Sequence, residues 1–131
     1  MSFGLVIQQA IYTKLSNDAP LSAVVSIYDN APQDGAFPYV TIGEDVLIEW
    51  DTDTELGVVG SITLHTWSRE RGRKETKTIQ GLIYDALHRT TLTSSGYKFV
   101  TIDQQEVSTN IDPDGLTRHG IQEFKVILER L

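Results

Sequence analysis

Residues 74–88 place Ile79, Leu82, Ile83, Ala86 and Leu87 at the i, i+3, i+4, i+7, i+8 spacing of one helix face. A helix with one apolar stripe needs a second surface to cover it. Val58 to Trp67 offers one. Ile62, Leu64 and Thr66 alternate there with Thr63, His65 and Trp67, the two-residue period of a strand. The presence of both periods calls for helices packed against a sheet.

The remaining segments extend that reading. Phe3, Ile7, Ile11 and Leu15 recur every four residues, widened by Val6 and Ala10, and predict a helix from Phe3 to Leu15 with Ser2 as its cap. Asn17, Asp18 and Pro20 end it, and Leu21 to Val25 reads as a single turn. The stretch from Asp29 to Pro38 is a loop by its Pro and Gly content. Tyr39 to Ile42 reads as a short strand, Tyr97 to Val107 as another, and His119 to Glu129 as the last. Gly57 and Gly60 mark a bend or a close-packed site. Asp112-Pro-Asp-Gly115 has the residues of a type I turn. The expected fold is α+β: a two-layer sandwich whose mostly antiparallel sheet has about four strands, with two main amphipathic helices packed on it.

Length and composition limit the function classes. The 131 residues fit a single domain spanning 1–131, and the 40% hydrophobic content can fill its core. A formal charge of −7 argues against a protein that wraps nucleic acid. The absence of Cys removes disulfides, thiol nucleophiles and zinc–thiolate sites together. No apolar run approaches the roughly 20 residues of a membrane helix. The amino terminus has no signal-peptide pattern, so a soluble cytoplasmic protein is the default expectation. Neither a Walker loop, a GxGxxG loop nor a GxSxG elbow occurs.

Two weaker signals concern metal. Asp51, Asp53 and Glu55 are spaced like the opening of a calcium loop, but Leu56 stands where such a loop needs Gly, and Ile62 where it needs Glu. His65, His88 and His119 are dispersed and read as a strand-face, a helix-end and a loop histidine. No metal, no cofactor and no catalytic set is expected.

Charge is segregated. Asp29 to Glu55 contains eight acidic residues and no Lys or Arg, whereas Arg69, Arg71, Arg73, Lys74 and Lys77 form the basic cluster. Such poles can steer copies of a chain head to tail. The candidate interface is therefore Arg69, Arg71 and Arg73 of one copy against Glu44, Asp45, Glu49, Asp51, Asp53 and Glu55 of the next.

Four segments, taken in order, carry a family resemblance. They are Phe37-Pro-Tyr-Val-Thr-Ile-Gly-Glu44, Ile62-Thr-Leu-His-Thr-Trp-Ser68, Gly81-Leu-Ile-Tyr-Asp-Ala-Leu-His88 and Asp112-Pro-Asp-Gly-Leu-Thr-Arg-His-Gly120. Along nearly its whole length the chain resembles the small tailed-phage proteins grouped as tail completion or tail terminator proteins. These are similar to head–tail joining proteins and occur in phages, prophages and gene transfer agents. The resemblance implies a structural virion protein that caps the tail tube, as a hexameric ring, and meets the head connector. It implies assembly in the host cytoplasm, no catalysis, no cofactor, no membrane and no specific nucleic acid. The family's recurrent positions fall on Phe37, Pro38, Tyr39, Val40, His65, Trp67, Ser68, Asp112, Gly115 and Gly120, as scaffold and interface. The alternatives are a tail-tube or connector component of a related particle and, in another class, a small hydrolase with scattered carboxylates.

Overall fold

A computed structural model describes residues 2–52 and 54–131. Helix α1 spans Phe3–Ser16 and opens as its sequence demands: Ser2 Oγ accepts from the Leu5 amide at 3.2 Å. Asp18 does the same for the short α2, Ala19–Ser22. The strands are β1 (Ser26–Tyr28), β2 (Tyr39–Glu49), β3 (Leu56–Ser68), β4 (Thr93–Ser94), β5 (Tyr97–Ile111) and β6 (Arg118–Arg130), with α3 (Lys74–Leu87) between β3 and β4.

These strands overturn the expected architecture. The sheet has six strands in the order β1-β2-β3-β6-β5-β4, not about four. It is mixed, because β1 runs parallel to β2, and it curls into a half-barrel with only a small helical share. Two physical causes account for the difference. The acidic run after Ile42 has poor strand propensity, yet pairing with β3 carries β2 through to Glu49. A bulge between Ile42 and Asp45 shifts the register there, turning Leu47 inward and leaving Val46 and Ile48 exposed. The edge strands β1 and β4 are three and two residues long, too short to leave a periodic signal.

Both helices cover the same face of this sheet. Helix α3 packs on β3, β5 and β6; α1 packs on β1 and β2 and touches α3. The core joins Val6, Ile7, Ile11 and Leu15 of α1, and Ile79, Ile83, Ala86 and Leu87 of α3, to Ile62, Leu64, Phe124, Val126 and Leu128 of the central strands. Leu82 is only partly buried against that core. Thr76 and Gln80 of α3 are also buried, over the backbone of Gly120 on β6. A Cβ at Gly120 would lie 2.5 Å from Gln80 Nε2, a nitrogen already committed to the Ser108 carbonyl at 2.9 Å. Gly60 has a similar role, since a Cβ there would collide with the inward-turned Leu47.

Candidate functional site

Among the described residues no helix covers the opposite face of the sheet, and its side chains cover one another. Residues on β3 that point away from the core include His65 and Trp67. Register places Tyr39, Trp67 and His119 in one row across β2, β3 and β6, and Thr41, His65 and Ile121 in the next row. The row closes into an aromatic stack. Trp67 lies on His119 with ring centroids 3.9 Å apart and planes within 12°. The indole N–H donates to Thr41 Oγ1 at 3.1 Å. Tyr39 continues the row toward Phe37 at 5.0 Å and Tyr28 at 5.8 Å.

A chain of titratable groups runs across the stack. Glu44 Oε1 lies 2.9 Å from His65 Nε2, His65 Nδ1 lies 2.6 Å from His119 Nε2, and His119 Nδ1 lies 3.5 Å from Asp112 Oδ1. Folding therefore brings two of the three histidines together, and His119 belongs to a strand rather than a loop. His88 stands apart at the end of α3, where its Nδ1 accepts the Gln104 amide at 3.0 Å. Among the described residues no group of three or more His, Asp or Glu is arranged to hold a metal.

Electrostatics of the chain follow from its burial. Loss of water around His119 and the neighbouring His65 hold its pKa below the ordinary 6.5, against the opposing pull of Asp112 and Glu44. Partial burial pushes Glu44 upward, but the hydrogen bond and charge of His65, with backbone and Thr63 contacts, hold it below the ordinary 4.5. Asp114, bonded to the backbone and hydroxyl of Thr117 and the Leu116 amide, is lowered to about 2. The folded state thus binds these protons less tightly than the unfolded chain. The His119 contribution to stability is complete above pH 6.5 and is lost as pH falls through its depressed folded value. The Asp114 contribution disappears only toward about 2. Denaturant midpoints should therefore decline on acidification below pH 6.5, and His119→Gln should flatten the first part of that decline.

The charged residues singled out from sequence separate into engaged and free groups. Arg69 is engaged: its guanidinium carbon lies 4.4 Å from the Phe37 ring centroid and its Nε donates to Thr117 Oγ1 at 3.3 Å. It ties the loop before β2 to the loop before β6. Arg71 and Arg73 are exposed on the turn that precedes α3. Glu44 is held by His65, and Asp45 faces the start of α1 near Gly4. Glu49 ends β2, and Asp51 Oδ1 accepts the Gly57 amide at 3.2 Å in the β2–β3 hairpin. Glu55 lies beside Glu129, whose carboxyl is pushed up by desolvation and by Glu55. Asp53 lies outside the described residues. The stack and the His65–His119 pair were not foreseen. His65 and Trp67 share a strand face in the sequence, but only the β3–β6 register supplies His119.

The sequence matches the family described as tail completion protein gp17 over residues 9–129. The chain belongs to this family. The tail completion protein gp17 of Bacillus phage SPP1 is 28% identical over 116 residues, covering 88% of this chain and 86% of that protein. Two solved structures share the fold. A chain from the virion of a native gene transfer agent particle superimposes with a TM-score of 0.89 at 22% identity, covering 98% of this chain and 99% of that one. The bacteriophage SPP1 gp17 structure gives 0.62 at 24% identity, covering 92% and 87%. The chain is thus a structural tail-completion protein of a virion. Its outer-face stack carries several of the family positions expected from sequence, Phe37, Tyr39, His65 and Trp67 among them.

Proposed function

We propose that the protein closes the head-proximal end of a phage tail as a hexameric ring and presents a surface to the head connector there. It assembles in the host cytoplasm and does so without catalysis. Family membership across residues 9–129 is the observation that carries this reading. The ring itself rests on the charge layout. Arg71 and Arg73 project from the turn after β3, while Glu49, Asp51 and Glu55 lie at the hairpin that precedes it. From Val58 to Ser68 the strand extends for roughly 33 Å along its axis, so the two groups are far apart within one copy. A head-to-tail neighbour brings them together, and such contacts close into a ring when the rotation fits. Arg69 and Glu44, engaged internally, shape the loops behind this contact. Native mass spectrometry of the protein over a concentration series, alone and mixed with isolated tails, tests the ring. Six copies per assembly are expected; a species that stays monomeric in both settings contradicts it.

A further inference from the structure

The chain of carboxylates and imidazoles on the outer face has a proton inventory that its geometry settles. Glu44 is held ionised and can only accept, so the 2.9 Å contact places the neutral His65 hydrogen on Nε2. His65 Nδ1 is then bare, and the 2.6 Å contact makes His119 donate to it through Nε2–H. That leaves His119 Nδ1 bare as well, facing Asp112 Oδ1 at 3.5 Å, beyond a good hydrogen bond, as two acceptors require.

One added proton has its place at His119 Nδ1, and the hydrogen in the 2.6 Å contact can then sit on either ring. The added proton turns the long contact with Asp112 into a charge-assisted hydrogen bond and leaves every other bond in the chain intact. A second proton has only His65 Nδ1 left, where it would meet the Nε2–H of His119. Two donors cannot share a 2.6 Å contact. We propose that Glu44, His65, His119 and Asp112 form a proton-operated clasp: the first proton draws the β5–β6 loop onto the sheet, and a second parts the two imidazoles and releases it.

The surroundings favour the singly protonated state over the doubly protonated one. From β2 the pair faces Glu44, and Asp29 lines the same cleft as Glu44 and His65. From β3 it faces Trp67, stacked on His119 and suited to a cation. From β5 it faces the neutral Asn110, opposite His119, and from the following loop Asp112. Arg118 precedes His119 and spends Nη1 on the Leu116 carbonyl at 2.7 Å. Asp112 is also mechanically connected. Its amide donates to the Thr117 carbonyl at 2.9 Å, and Thr117 Oγ1 receives Arg69, which lies over Phe37. A pull on Asp112 therefore reaches both loops beside the stack.

Imidazole nitrogen NMR on the full chain, from about pH 8 to pH 4, reads tautomer and charge at each histidine. The expected series starts with both histidines neutral, His65 as the Nε2–H form. The first proton should appear at His119 Nδ1, with added amide protection across residues 114–117, and the second should part the two rings together with loss of that protection. In a Trp50→Phe background, Trp67 emission should fall with the first step. Asp112→Asn should move the His119 midpoint to lower pH and abolish the gain in protection. A first proton that leaves His119 Nδ1 bare, amide protection that falls with that first proton, or an Asp112→Asn variant with an unmoved His119 midpoint would each overturn the clasp. If that variant does not fold, the wild-type protection series decides alone.

Discussion

Phe124→Ala should lower the unfolding free energy by about 3–5 kcal/mol. Phe124 is fully buried in the centre of β6, paired with Ile62 on one side and Gln104 on the other. Deleting its ring removes buried apolar surface and leaves a cavity that a paired strand cannot close by moving. Strands β3 and β5 hold β6 along nearly its whole length, so relaxation is limited. Equilibrium unfolding in urea measures the loss as a fall in midpoint at constant slope. A midpoint within experimental error of the wild type would mean that Phe124 does not lie in the core.

Reversing Arg71 and Arg73 together to Glu should leave the monomer folded and sharply reduce ring assembly on tails. Both side chains are exposed, so the monomer loses no buried contact. Each reversal replaces attraction to Glu49, Asp51 and Glu55 of a neighbour by repulsion, and the penalty recurs at every interface of the ring. Rim ion pairs contribute little affinity individually, so the effect comes from repulsion in the approach and register of the copies. Higher salt should restore part of the assembly by screening. Circular dichroism checks the fold, and sedimentation of tails with bound protein reads assembly. Tails capped as efficiently by the double variant as by the wild type would remove the charge contact while leaving the family assignment in place. Arg69→Glu should behave differently and disturb the monomer, because Arg69 clamps Phe37 and Thr117.

The two long helices were legible because each carries apolar residues at helical spacing on one face, and Ser2 announces the start of α1. The central strands β3 and β6 were legible by their period of two, since buried and outward residues alternate in β6 from Gly120 onward and in β3 from Val58 onward apart from buried Thr63. Strand β2 was cut short at Ile42 because a bulge breaks its alternation and carboxylates follow. Bulges at Val100 and Gln105 blur β5 in the same way, and its last residues owe their strand state to β6 rather than to their own pattern. The missing strands changed the architecture from a four-stranded layer to a curled six-stranded sheet. The outer-face site was half visible: the sequence marks His65 and Trp67 as neighbours on one face. Its other half comes from pairing across 54 residues of chain, which no local period encodes. Charge segregation was visible, but not that Arg69 and Glu44 are used within the chain.

Electron microscopy of tails assembled with and without this protein tests the central claim most directly. With the protein present, each tail should bear a ring of its copies at the head-proximal end and join heads. Without it, the ring should be missing and tails should remain unjoined. Tails that join heads equally well in its absence, with no density lost at that end, would contradict the account.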